Sequence, residues 1–93
     1  MSAIEAGVLK VSGPLTMRTA QEWRQRGQTA IAAGARRIDF SAVTEADSAA
    51  LAVLLEWQRL AGGKDALSLV GLPAGLASLA ELYGVESLLP IAA

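Results

Sequence analysis

The sequence predicts one small α/β domain spanning residues 1–93. Three observations carry that reading. Short runs with strand character alternate with stretches whose apolar residues recur at helical spacing, and such alternation implies parallel strands joined by right-handed crossovers. Glycine and proline fall between the runs and leave connections of only a few residues. Finally, 53% of the 93 residues are hydrophobic and only 18% charged, enough apolar material for one modest core and too much for a disordered chain.

The elements follow in order. Val8-Leu9-Lys10-Val11-Ser12 reads as a strand between Gly7 and Gly13-Pro14, and Ser2–Glu5 as an initial hairpin strand beside it. A helix follows. Thr19 and Glu22 have the spacing of a capping box, and Thr16 is an equally good cap one turn earlier. Ala20, Trp23, Gly27, Ala30 and Ile31 then share one helical face, and Gly34 stops the helix. In Arg36-Arg37-Ile38-Asp39-Phe40 a second strand sets Ile38 and Phe40 against Arg37 and Asp39, and Ser41–Asp47 reads as a loop rich in hydroxyls and carboxylates. Ser48–Ala61 is long enough to be a helix, with Asp47 or Ser48 as its N-cap and Gly62-Gly63 as its end. Ala66–Gly71 is a third strand of central, apolar character. Pro73 opens a last helix with Leu76, Leu79, Ala80 and Tyr83 on one face; Gly84 closes it, and Val85–Pro90 forms a tail.

Composition removes most chemistry. With no cysteine and no histidine, the chain has no disulfide, no thiolate or imidazole metal ligand, and no Cys/His or Ser/His/Asp catalytic arrangement. No phosphate-cradling glycine loop is present, and Lys10 and Lys64, the two lysines, lie outside any such context. Eight basic residues against nine acidic ones give −1, a balance that favours neither nucleic acid nor anionic lipid. Five arginines against Glu22 nevertheless leave residues 17–37 at +4, and four acids against Arg59 leave residues 38–61 at −3, an asymmetry able to steer a partner. Met1–Gly7 shows no basic stretch leading into an apolar one, and the longest nearly apolar run, Ala49–Leu55, is seven residues, so neither a secretory leader nor a membrane span is expected. A soluble cytoplasmic chain is the expectation.

Asp39, Glu45 and Asp47 are the one cluster of carboxylates, at a strand end where α/β folds place ligands. Three oxygens there could hold a hard cation, but helix caps and solvated loop acids explain them better, and no metal or cofactor is expected. Each tryptophan can sit in the core or at an interface. For Trp57 the core reading leads. For Trp23, flanked by Glu22, Arg24, Gln25 and Arg26, the two readings stand level, and an exposed indole among charges has the character of a binding hot spot. Ser48 is the sharpest residue. It opens the apolar helix, where it either caps the helix or displays its hydroxyl to a partner or phosphoryl group.

The run Phe40-Ser41-Ala42-Val43-Thr44-Glu45-Ala46-Asp47-Ser48-Ala49-Ala50-Leu51 resembles the signature of STAS domains, the family of anti-sigma-factor antagonists and transporter-associated modules. That signature is a strand ending in D-[LF]-S, a short loop, then D-[ST]-[SGA]-[GA]-L opening a helix. Leu69-Val70-Gly71-Leu72-Pro73, Leu79–Val85 and Leu88-Leu89-Pro90 are similar to MlaB-like proteins, the STAS subunits of the Mla-type phospholipid ABC transporter, and Gly13-Pro14-Leu15 and Trp23 have counterparts there. The resemblance implies a mixed four-stranded sheet with helices mainly on one face. It also implies a non-catalytic cytoplasmic subunit bound to the transporter's ATPase, in a complex with permease and lipid-binding subunits, peripheral to the inner membrane. Such a transporter preserves outer-membrane lipid asymmetry. Ser48, Trp23, Asp47, Thr44 and Ala49 are the expected partner-binding residues. The alternative is an anti-sigma-factor antagonist switched by phosphorylation of Ser48. Ala49-Ala50 departs from the Ser-Gly or Gly-Gly of many relatives, so a second phosphorylatable hydroxyl is missing.

Overall fold

In the computed structural model, which describes residues 4–5, 7–63 and 66–85, the alternation is realised as a four-stranded sheet carrying three helices. The order along the chain is β1 (Ile4–Glu5), β2 (Val8–Leu15), α1 (Ala20–Ala32), β3 (Arg37–Ala46), α2 (Ser48–Ala61), β4 (Ser68–Val70) and α3 (Ala74–Leu82). The strands lie side by side in sequence order. β1 pairs antiparallel with β2, whereas β2–β3 and β3–β4 are parallel, so the sheet is mixed.

One face of the sheet is buried and the other is wet. Leu9, Val11 and Leu15 of β2, Ile38 and Phe40 of β3 and Leu69 of β4 enter the core. Lys10, Ser12, Arg37 and Ser41 on the same strands are exposed. All three helices contribute to the single core, so they cover the same face, as two successive crossovers of one hand require. Among the described residues no polar or charged side chain is buried.

The face read for α1 is the face it buries: Ala20, Trp23, Gly27, Ala30 and Ile31. Its start differs from the capping box. Thr19 occupies the N-cap position, but its hydroxyl bonds no helix amide. Instead its Oγ1 accepts the Thr16 N–H (3.0 Å) and donates to the Pro14 carbonyl (2.9 Å), tightening the turn ahead of the helix. Glu22 pairs with Arg26 at 2.6 Å, one turn on. At the other end Arg36 Nη1 donates to the carbonyls of Ile31 (3.0 Å) and Ala35 (2.7 Å), placing positive charge where the helix dipole is negative.

Helix α2 is the centre of the core. Ala50, Leu51, Val53, Leu54 and Trp57 are buried on it, and burying each larger side chain stabilises the fold by roughly 1.5–3 kcal/mol. Trp57 is fully buried, stacks on Phe40 with ring centroids 6.4 Å apart, and donates from Nε1 to the Arg24 carbonyl at 3.3 Å. The core reading of Trp57 is therefore the one the structure adopts. Gly27 of α1 lies against this indole so closely that a Cβ there would overlap Nε1, Cε2 and Cζ2 of the ring. The helix ends at Gly62, whose left-handed backbone (φ 113°) lets the cap amide return to the Arg59 and Gln58 carbonyls.

Four expectations are corrected. β2 runs on to Leu15 and β3 to Ala46, so the stretch read as a loop from Ser41 is strand for all but its last residue. The pairing is irregular there: Lys10 faces Asp39, Ser12 faces Ala42, Gly13 faces Val43 and Pro14 faces Glu45, so β3 holds one extra residue twice. Each extra residue reverses which side the next side chain takes. Hence Phe40, Val43 and Ala46, three apart, all pack on the core, while Ser41, Ala42, Thr44 and Glu45 are exposed. The third strand is shorter than read, Ser68–Val70, and among the described residues it pairs only with β3, so it lies at the sheet edge and not in the central position its apolar character suggests. On α3 Leu76 and Ala80 are buried and Leu79 packs partly, but Tyr83 is 56% exposed because it lies past the last helical residue. The segment 86–90 of the expected tail lies outside the described residues.

Candidate functional site

The chain leaves β3 at Ala46 and enters α2 at Ser48, so Asp47 alone makes the junction. Its extended backbone (φ −131°, ψ −169°) and short carboxylate suit an N-cap, and the carboxylate is used twice. Oδ1 accepts the Ala49 N–H at 2.9 Å, and Oδ2 accepts the Met17 N–H at 3.1 Å. One side chain thus fastens the start of α2 to the turn between β2 and α1, thirty residues away in sequence. The Asp47 carbonyl also accepts the Ala50 N–H at 3.0 Å. The Ala49 and Ala50 amides at the helix end are therefore already met, and negative charge already sits at the helix dipole.

Ser48, the first residue of α2, is exposed; Ala49 behind it is half-buried and packs on the core. Thr44 is exposed on β3, and Glu45 is exposed next to it. On one side of this ridge lies a depression of about 570 Å³ that includes Met17, Arg18, Glu45 and Asp47. On the other is one of about 240 Å³ bounded by Thr44, Glu45, Pro73 and Leu76. The structure therefore brings Thr44, Asp47, Ser48 and Ala49 together at one end of the domain.

The carboxylates do not converge. Asp39 Oδ1 accepts the Ser41 N–H at 2.8 Å beside the first irregularity in β3. That bond, with the Ser41 hydroxyl and then Lys10, holds the Asp39 carboxyl below its ordinary range, since each favours the charged form. Asp47 is a cap. Among the described residues no three acidic side chains are grouped to hold a metal ion.

Trp23 is placed differently from the expectation. It is only 5% exposed and belongs to the core, so the picture of a bare indole among charges is corrected. Of its charged neighbours only Arg26, three residues on, lies over it, with its guanidinium carbon 4.7 Å from the ring centroid and its charge paired to Glu22. The others leave the helix in other directions. Trp23→Ala is accordingly expected to cost about 3 kcal/mol, the loss typical of a truncated core aromatic. A thermal melt checks this. A midpoint within a few degrees of wild type would return the indole to a surface role.

The family model described as the Mlab, STAS domain matches residues 2–90. The chain belongs to the STAS domain family, of the MlaB type. Among solved structures, this STAS domain is similar to the crystal structure of a candidate anti-sigma factor antagonist from Thermotoga maritima, with a TM-score of 0.71 and 19% identity. The match covers 95% of this chain and 80% of that one, and at that identity it speaks to the fold alone. No curated protein sequence matches the chain. Within the STAS domain, Met17 is a surface residue at the α2 end that the sequence does not single out, and Glu45, legible there only as one of the acidic cluster, is exposed beside the same depression. A methionine in a turn carries no signal until the fold sets it beside Asp47.

Proposed function

We propose that this STAS domain is a non-catalytic subunit that binds the ATPase of a phospholipid ABC transporter and stabilises or regulates it. STAS domains serve in general as regulators and binding modules rather than as catalysts. The observation that carries the proposal is the MlaB-type match along residues 2–90. In this reading the ATPase assembles with permease and lipid-binding subunits, and the complex moves phospholipid so as to maintain outer-membrane lipid asymmetry. The domain is then held on the cytoplasmic side of the inner membrane through its partner. No helix among the described residues is long and apolar enough to cross a membrane, which agrees with anchoring through another subunit.

The exposed ridge at the start of α2, with Ser48 at its tip, is the contact surface in this reading. Ser48→Asp is expected to leave the isolated domain folded, because a carboxylate suits a helix N-terminus and moves stability by less than about 1 kcal/mol. Buried against a partner the new charge has no designed counterpart. Affinity for the ATPase should therefore fall at least about tenfold, whereas Ser48→Ala should bind almost as wild type. A pulldown of the purified ATPase with the three forms, each also melted, decides the matter; equal capture of all three removes Ser48 from the interface.

The fold shared with the Thermotoga maritima protein supports a second reading, an anti-sigma-factor antagonist controlled by a kinase acting on Ser48. One feature favours the first: Ala49-Ala50 leaves no second hydroxyl beside Ser48. Phosphorylation of Ser48 by a serine-kinase anti-sigma factor, with release of that factor's sigma partner, would establish the second reading instead.

A further inference from the structure

Strand β3 has a second way to lie against β2. Counted on from the Lys10–Asp39 pair with no extra residue, Ser41 would stand opposite Ser12, Ala42 opposite Gly13 and Thr44 opposite Leu15. Phe40, Ala42 and Thr44 would then face the core, and Val43 would face solvent. The register adopted instead sets Ala42 opposite Ser12, Val43 opposite Gly13 and Ala46 opposite Leu15. It brings Val43 and Ala46 to the core in place of Ala42 and Thr44, but it interrupts the ladder twice, and each interruption leaves a residue out of the pairing. Two registers of the same strand thus compete, each with one advantage.

Local contacts hold the first interruption where it is. Ser41 has no opposite residue on β2 or β4 among the described pairs. Its N–H nonetheless donates to Asp39 Oδ1 at 2.8 Å, two residues back on the same strand. A short acidic side chain can replace a ladder partner in this way, and a charged acceptor makes the stronger bond. From the β4 side Gly71 closes on the same residue, so near that a Cβ there would stand 2.9 Å from the Ser41 nitrogen and 3.1 Å from its Cα. In the regular register Ser41 would regain an opposite residue, and the Asp39 carboxylate would have no such task.

From these contacts we infer that Asp39 is a register lock: by occupying the Ser41 amide it holds β3 in the interrupted pairing and so brings Asp47 to the Met17 amide. Asp39 is a positioning residue, acting at a distance along its own strand. Without it β3 pairs regularly, Thr44 takes the place of Ala46 opposite Leu15, and Asp47 is carried about 6–7 Å past Met17, two residues of strand rise.

The test is solution NMR of the full chain in four forms: wild type, Asp39→Asn, Asp39→Ala, and Asp39→Ala combined with Thr44→Val. Cross-strand proton contacts report the register, Ser12 with Ala42 in the interrupted pairing and Ser12 with Ser41 in the regular one. Asparagine keeps a side-chain oxygen to accept the amide, so Asp39→Asn should retain the Ser12–Ala42 contact. Asp39→Ala should show the Ser12–Ser41 contact, and exchange of its Met17 amide with solvent should quicken at least about tenfold, because the acceptor has moved away. Thr44→Val supplies an apolar side chain to the core in the regular register alone, so the double variant decides the matter if the single alanine variant does not fold. A double variant that keeps the Ser12–Ala42 contact, or that does not fold, overturns the inference. So does an Asp39→Ala variant that loses stability at unchanged register, since Asp39 would then be a stabilising contact only. An Asp39→Asn variant that slips as Asp39→Ala does would show that the amide bond is not what holds the strand, and overturns it too.

Discussion

Trp57→Ala is expected to lower stability by about 4 kcal/mol, the largest single-residue loss in this domain. Trp57 has no exposed surface, stacks on Phe40 across the interface between α2 and the sheet, and bonds through Nε1 to the backbone of α1. It therefore ties α1, α2 and the sheet together, and its removal leaves the space of an indole among them. Small domains have only about 5–15 kcal/mol of net stability, so this loss consumes much of it. At roughly 4–8 °C per kcal/mol the midpoint should fall by about 20 °C. A fall below about 5 °C in a thermal melt would show that the core closes over the gap. Trp57→Phe should keep the ring stack and recover part of the loss, while leaving the Arg24 carbonyl without that donor.

Gly27→Ala comes second, and here a substitution that ordinarily helps a helix is expected to harm it. Alanine is preferred to glycine inside a helix by about 1 kcal/mol. At position 27 the added methyl would stand within 3.0 Å of three atoms of the Trp57 ring. The ring cannot retreat, because Phe40 lies against it and its Nε1 is held by α1 itself. Helices α1 and α2 would have to part, and with them the Arg24–Glu56 pair at 3.3 Å that spans them. Overpacking of a tight core costs about 1–3 kcal/mol and occasionally more, and so close an overlap belongs at the upper end. We expect a net loss of about 3 kcal/mol. The cause can be isolated by a double-mutant cycle. In a Trp57→Leu background the same Gly27→Ala change should cost nothing or stabilise. Additive losses in the two backgrounds would mean that something other than the indole demands a glycine.

Much of this architecture was legible in the sequence, and the misses have physical causes. Helical spacing picked out the five residues that α1 buries, because a three- to four-residue apolar period leaves little freedom in assigning a face. The junction at Asp47 was legible for a similar local reason, since a short acidic side chain ahead of an apolar helix has few other uses. Its second bond, to the Met17 amide, spans thirty residues and leaves no local trace. The end of β3 was misread because its inward residues are three apart, a spacing that belongs to neither a regular strand nor a helix. Only the pairing with β2, which keeps its own strict alternation, makes that segment a strand.

Trp23 was misplaced for an instructive reason. Neighbours in sequence are not neighbours in space here, because on a helix residues one apart point about a hundred degrees away from each other. Glu22 and Arg24 therefore say little about the surroundings of the indole. Arg26 says a great deal, and it covers the ring instead of leaving it bare.

The two extra residues in β3 also govern what changes of chain length this family member can absorb. Surface segments between elements usually accept insertions and deletions freely. The stretch Ser41–Glu45 lies near the end of β3, just ahead of a helix, and carries exposed hydroxyls, so it resembles such a segment. It is in fact a counted interval. Removing one extra residue would straighten one irregularity and leave Val43 and Ala46 opposite Gly13 and Leu15, still facing the core. Removing both would make β3 as regular as β2 over this interval, with Ala46 still opposite Leu15 and Asp47 still beside the Met17 amide. Loss of an extra residue is therefore a change of length that this strand can take up, whereas loss of Val43 would turn a polar neighbour inward, although the whole stretch looks alike from outside.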